Sequence, residues 1–259
     1  MSGPHFEAIL LDLDGVLYIG DKLIPGAREA LTCISAAGMK VAGVTNTTTI
    51  ARAQIIEKLH RLGLNIDEQH LFTPAALARQ CIGEHSARLF VRDSLRQDFA
   101  GIRLDHEQPD YVVMGDIGGE GYTPETLRRI FLHIMDGSRL IALHKNRFWQ
   151  KPDGLHLDLG CFVAAIEYAT GKKAQIMGKP STDFFHGICR ALDVSPAHTL
   201  MIGDDIESDV AGAQRAGLHG MLVHTGKYRP AFAAASGISP DYELDSIALL
   251  PDFLQQRPD

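Results

Sequence analysis

From residue 8 to residue 62 the chain repeats one pattern twice: an apolar run short enough for a strand, then a longer stretch with helical spacing. Residues 8–13 predict a buried strand, closed by Gly15. Residues 25–37 place Ala27, Ala30, Leu31 and Ile34 on one helical face. Pro25 suits the first turn and Gly38 the C-terminal cap. Residues 40–45 predict a second strand, and 49–62 a second helix closed by Gly63. Such a start implies an α/β fold with a parallel sheet and right-handed crossovers.

The rhythm returns late in the chain, with strands predicted at 174–177, 199–202 and 220–223 and helices at 182–192, 208–216 and 247–255. Between these parts lie further strands at 89–92, 111–114 and 140–143 and helices at 123–135 and 161–169. That is enough for a second α/β unit. The expected organisation is one discontinuous domain, 1–74 and 177–259, with 75–176 inserted into it. A chain of 259 residues has room for both.

The formal net charge of -7 gives no general attraction to nucleic acid or to an anionic membrane. A phosphate substrate would need local positive charge against that field. No apolar stretch nears the ~20 residues of a membrane span. The first apolar run ends in Asp12 and Asp14, where a signal peptide would stay apolar. Cys33, Cys81, Cys161 and Cys189 form no metal knuckle or redox pair and read as reduced thiols, so the expected location is cytoplasmic.

Four motifs follow predicted strands. Asp12-Leu13-Asp14-Gly15 ends the first, and two carboxylates so close repel unless a cation separates them. A hard divalent ion with oxygen ligands answers that need, and Mg²⁺ is the usual ion beside phosphates. An acidic strand end before a glycine turn is the plainer alternative. Val44-Thr45-Asn46-Thr47 ends the second strand; its hydroxyls and N–H groups at a helix start suit phosphate oxygens, or simply cap the helix. Gly178-Lys179-Pro180 offers a point charge to phosphate, or a solvated lysine. Gly203-Asp204-Asp205-Ile206-Glu207-Ser208-Asp209 packs acids after an apolar strand, although Asp205 or Ser208 could cap the next helix. Their order carries more than any one alone, because open α/β sheets bind ligands at the carboxyl ends of their strands.

With these residues in place the sequence resembles the haloacid dehalogenase superfamily of phosphatases. The family pattern is DxDG(T/V), a strand ending in Ser or Thr, a Lys, then GDxxxxD. Asp12, Asp14, Thr45, Lys179, Asp204 and Asp209 match it in order. The forms at 44–47 and 177–180 resemble the NagD and nitrophenyl-phosphatase branch. The resemblance implies a Rossmann-like core with a large α/β cap of the C2 type, inserted between the second and third motifs.

It further implies that Asp12 attacks phosphorus to give an aspartyl-phosphate, and that Asp14 protonates the leaving oxygen and then deprotonates water. Mg²⁺ would be held by Asp12, the backbone carbonyl of Asp14 and Asp204. Thr45 and the Asn46 N–H would bind phosphoryl oxygens, with Lys179 stabilising charge there. Asp209 would orient Lys179 or a metal-bound water, and Asp205 would stand behind the ligands. The implied partner is a small phosphorylated molecule, with a homodimer open as the assembly. A phosphotransferase or phosphomutase with the same Asp12 chemistry, or a catalytically weak phosphate-binding regulator, is the alternative reading.

In the insertion, His144, Lys145, Asn146, Arg147 and Trp149, with Asp153 and Gly154, are candidates to face an anionic or aromatic leaving group; a solvated basic loop is the alternative. Family members carry an ATNxD-like sequence here. This chain has Leu143-His144-Lys145-Asn146-Arg147, without the Asp. His5, His85 and His106 show no ligand spacing and are expected at the surface.

Overall fold

The computed structural model describes residues 5–118, 121–151 and 154–256, apart from the side chains of 149–151 and 155. The chain divides into two compact units. The first takes the chain through Thr45, then Ile55–Phe72, and everything from Lys179 onward; the second takes Asn46–Gln54 and Thr73–Gly178.

The first unit is built on six parallel strands, in the order Tyr242–Leu244, His219–Val223, Thr199–Gly203, Ala8–Leu11, Lys40–Val44 and Leu71–Phe72. Ala8–Leu11 and Thr199–Gly203 are buried at every position, as strands covered on both faces must be. Helix Ala27–Ala36 buries Ala27, Ala30, Leu31 and Ile34, the face its spacing predicts. Helix Thr182–Leu192 buries Phe184, Phe185, Ile188, Cys189 and Leu192. Each side chain of that size contributes about 1.5–3 kcal/mol when fully withdrawn from water.

The second unit has its own parallel sheet, ordered Gln175–Ile176, Arg139–Ala142, Tyr111–Met114, Ser86–Phe90 and Arg103–Leu104. Val112, Val113, Ile130, Ile134, Ile141 and Val163 lie in its core. The strand before Gly178-Lys179, Gln175–Ile176, pairs with Arg139–Ala142 in this sheet. An antiparallel hairpin, Phe148–Lys151 with Gly154–Leu157, follows the basic stretch 144–147; the sequence pattern predicted no strands there.

Two other expectations change. The second helix runs Arg52–Arg61, starting later than residue 49. The Arg52 N–H is taken by the Asp98 carboxylate, at 3.2 and 3.0 Å to its two oxygens, and the Ser94 hydroxyl donates to the Thr49 carbonyl at 2.8 Å. These bonds hold residues 49–51 out of the helix. The helix expected over 208–216 is instead a π-helical turn, Ile206–Ala211, followed by α-helix Gly212–Arg215. Among the described residues no helix is long and apolar enough to cross a membrane, and all four cysteines are unbridged.

Candidate active site

The strand Ala8–Leu11 is central in its sheet, flanked by Thr199–Gly203 and Lys40–Val44, which puts its carboxyl end where the strand order reverses direction. Asp12 is the next residue. Its N–H still donates to the Ile202 carbonyl at 2.9 Å, and its own Oδ1 accepts the Leu13 N–H at 2.8 Å. The strand is over by then, so Asp12 and Asp14 are not two residues on one face of a regular strand. Asp12 is buried, while Asp14 sits on the turn beyond it and reaches solvent. The turn is closed by the Leu17 N–H to Leu13 carbonyl bond at 2.9 Å and the Gly15 N–H to Tyr18 carbonyl bond at 2.7 Å.

Lys179 is 2% exposed and its ammonium lies 3.0 Å from Asp12 Oδ1 and 2.6 Å from Asp209 Oδ1. Burial alone would push its pKa down; Asp12 and Asp209 outweigh burial and hold it charged, above the usual lysine value. It also donates to the Val44 carbonyl at 3.4 Å, next to the buried Thr45, whose N–H donates to the Phe72 carbonyl at 3.2 Å.

Asp204 and Asp209 reach this place through the turn after Thr199–Gly203. Asp205 caps it: its Oδ1 accepts the N–H groups of Glu207 and Ser208 at 3.0 and 2.9 Å. The backbone carbonyl of Asp205 accepts from Asp209 and, one residue further on, from Val210. This wider turn folds Asp209 back, and its Oδ2 accepts the Asp205 N–H at 3.1 Å. A Cβ on Gly203 would stand 2.1 Å from Asp209 Oδ2, so the glycine makes the return possible.

Ligand oxygens of Asp12, Asp204 and Asp209 lie within 4.8 Å of one another, all buried. Burial first, then the charges of Asp12 and Asp209, push the Asp204 carboxyl up to about 8. Its Oδ2 accepts the Lys227 N–H at 2.6 Å, while its buried Oδ1 has no hydrogen-bond partner among the described residues. An orphaned, buried carboxylate oxygen facing two further carboxylates is what a hard divalent cation would satisfy. The donor set therefore fits a metal ion. Asp14 is pulled above the ordinary carboxylate range by burial first and by Asp12 second, with Lys58 and Lys227 opposing.

The remaining candidates belong to the second unit. Asn46 is half-buried and its amide donates to Asn146 Oδ1 at 3.4 Å. It lies six residues ahead of helix Arg52–Arg61 and so is not at that helix's start, where the sequence pattern placed it. His144 is buried, 3.9 Å from Asp158 Oδ1, and its Nδ1 accepts the Asn146 N–H at 3.4 Å. Arg147 is exposed, with its guanidinium 5.8 Å from the Phe148 ring centroid. Residues 146 and 147 are strapped to the next helix by the Gly160 N–H to Asn146 carbonyl and Asp158 N–H to Arg147 carbonyl bonds. Asp153 and the Trp149 side chain lie outside the described residues. His5 and His106 are exposed, as is the His85 side chain, beside Asp110.

Sequence reasoning missed two groups. Thr225-Gly226-Lys227 follows the His219–Val223 strand; its Thr225 hydroxyl donates to the Gly15 carbonyl and its Lys227 N–H to Asp204. The signal was available, since this loop too follows an apolar strand. Lys58 lies on the helix Arg52–Arg61, with its ammonium 3.9 Å from the Tyr18 ring centroid, and nothing in the sequence separates it from an ordinary helix lysine.

Comparison with known proteins agrees with this geometry. Residues 9–100 match the family described as haloacid dehalogenase-like hydrolase, and residues 176–250 the one described as HAD-hydrolase-like. The chain is 42% identical over 253 residues to the haloacid dehalogenase-like hydrolase domain-containing protein 2 of Bos taurus, covering 97% of this chain and 96% of that one. It is 37% identical over 261 residues to the phospholysine phosphohistidine inorganic pyrophosphate phosphatase of Homo sapiens, covering 98% and 96%. The solved 4-nitrophenylphosphatase of Thermotoga maritima superposes with a TM-score of 0.86 at 26% identity, over 95% of this chain and 97% of that one. The chain thus belongs to the haloacid dehalogenase-like hydrolases, as a phosphatase of the NagD and nitrophenyl-phosphatase branch.

Proposed function

We propose that the protein hydrolyses a small phosphorylated molecule in a Mg²⁺-dependent reaction through a phosphoenzyme on Asp12. The observation that carries this reading is the meeting of Asp12, Lys179, Asp204 and Asp209, with the Asp204 Oδ1 left without a partner. Asp12, Asp204 and the backbone carbonyl of Asp14 would hold the ion. When bound, it neutralises carboxylate charge that would otherwise repel a phosphate dianion.

A carboxylate oxygen of Asp12 forms the new bond to phosphorus as the bond to the leaving oxygen breaks. Asp14 gives its proton to that oxygen. Its raised pKa favours the protonated form this step requires. Asp14 then takes a proton from the water that attacks the aspartyl-phosphate, releasing phosphate and restoring Asp12. Lys179, fixed by Asp209, places positive charge beside Asp12 where phosphoryl oxygens gather, and it needs no reorganisation to do so. Thr45 and the Asn46 N–H complete the phosphoryl contacts, and Asp205 supports the turn carrying Asp204 and Asp209. The inserted unit, 75–176, acts as the cap that selects the leaving group, with Asn146 and Arg147 as its candidates.

The test is phosphate release from p-nitrophenyl phosphate and a phosphometabolite panel, with and without Mg²⁺, by the wild type and by Asp12→Asn. The reading requires turnover that depends on Mg²⁺ and is lost in Asp12→Asn. A folded wild type that releases no phosphate from any compound, or an Asp12→Asn that stays fully active, refutes it.

A further inference from the structure

Lys58 is a half-buried cation with little protein charge to neutralise it. Its side chain is 16% exposed, its ammonium stands over the Tyr18 ring at 3.9 Å, and its nearest carboxylate oxygen is Asp21 Oδ1, also at 3.9 Å. That oxygen is beyond hydrogen-bond range, and it is shared with Arg61 at 3.3 Å on a side chain 81% exposed. Among the described residues no protein acceptor takes a hydrogen bond from the Lys58 ammonium, which has three donors to offer. A ring face supplies attraction but accepts none of those donors as a carboxylate would.

Tyr18 places this charge near the chemistry. It bridges back to Asp14, and its carbonyl accepts the Gly15 N–H, so ring and acid belong to one turn. The Lys58 charge is felt at Asp14, where it opposes, without outweighing, the upward push of burial and Asp12. Asp14 is the group that meets the leaving oxygen, so a substituent on the leaving group would come close to Lys58. Lys179 is committed to Asp12 and Asp209.

We propose that Lys58 determines specificity by receiving an oxyanion carried on the leaving group, so that the preferred substrates are phosphate compounds with a second anionic group close to the bridging oxygen. This rests on the reading of Asp14 as the acid that meets the leaving oxygen. The oxyanion is either a carboxylate or a second phosphate, and both supply the acceptors that the ammonium lacks.

The experiment compares kcat/KM for 2-phosphoglycolate, pyrophosphate and ethyl phosphate in the wild type, Lys58→Met and Lys58→Arg, with folding checked by circular dichroism. For at least one anionic compound, the ratio of its kcat/KM to that of ethyl phosphate falls about tenfold or more in Lys58→Met, mainly through KM, as expected for a lost charged hydrogen bond. Lys58→Arg retains most of it. The compound whose ratio falls further identifies the oxyanion as carboxylate or phosphate. A packing role on Tyr18 would lower all three substrates together; ratios that stay within about twofold in Lys58→Met overturn the proposal. If the wild type hydrolyses none of the three, the phosphatase reading is what has failed for them. Their calorimetric affinities for the wild type and Lys58→Met then decide on Lys58 by the same ratio.

Discussion

A Cβ placed on Gly15 would lie 1.9 Å from Oδ2 of Asp204, an oxygen whose position is set by the Lys227 N–H at 2.6 Å. The same glycine has a φ of 96°, a region L side chains rarely enter. Two independent constraints thus require glycine here, and both act on the acid turn. Gly15→Ala costs about 1–2 kcal/mol in backbone strain and displaces Asp204 as well. We expect kcat to fall about 100-fold, the scale of an ångström-sized misplacement. Steady-state kinetics beside a urea titration separates the two effects; a variant with wild-type kcat would show that Asp204 is not held by this contact.

The second prediction concerns Lys179, fully buried between two carboxylates. Lys179→Met keeps the volume and removes the charge, leaving Asp12 and Asp209 unneutralised in a buried site. Breaking a buried pair in this way costs about 3–5 kcal/mol, and activity should fall to background. Adding Asp209→Asn to Lys179→Met should restore part of the stability without restoring activity. Chemical denaturation of the single and double variants tests this; a double variant no more stable than the single would mean that unpaired charge is not the cause.

Mg²⁺ provides the third. The three buried carboxylates repel one another, so a cation that binds only the folded chain should raise its unfolding temperature. The gain approaches about 2.7 kcal/mol at a hundred times Kd. Asp204→Asn should lose most of that shift and yet be more stable than the wild type in excess chelator, because the substitution removes one repelling charge. Thermal melts with Mg²⁺ and with chelator decide it. Equal shifts in both proteins would place the ion elsewhere.

How much of this was legible in the sequence depended on distance along the chain. The sheet, the buried face of Ala27–Ala36 and the helix Thr182–Leu192 follow from local apolar spacing, which the structure keeps. The late start of Arg52–Arg61 was not legible, because its first N–H is claimed by Asp98, forty-six residues away. Nor was the π-helical turn at Ile206–Ala211: helix-compatible residues were plain, but the return of Asp209 to the Asp205 N–H was not. The acids and Lys179 stood out in the sequence because each follows a strand. Lys58 did not, because its place is set by the ring of Tyr18, on a different part of the chain.

The last prediction is a pH dependence in the second unit. Glu167 is buried, with Oε2 2.6 Å from the Lys145 ammonium and 3.7 Å from Lys173, and Oε1 accepting the Ala174 N–H at 3.0 Å. Burial pushes its carboxyl up, but the Lys145 and Ala174 hydrogen bonds and the two lysine charges outweigh burial, and the net direction is down from 4.5. A carboxylate with a lower pKa folded than unfolded adds stability that is complete above the unfolded value. That stability drains away as pH falls through the folded one. Glu167→Gln should therefore be less stable than the wild type by about 1.5–3 kcal/mol at neutral pH, the scale of hydrogen bonds to a charged group. The gap should close as the medium is taken from about pH 5 towards pH 3. Urea titrations of both proteins across that range read it directly. Lys145 begins the segment that carries Asn146 and Arg147, so the same Glu167→Gln should loosen that segment and raise its amide exchange; a gap that stays constant with pH would show that Glu167 acts through packing alone.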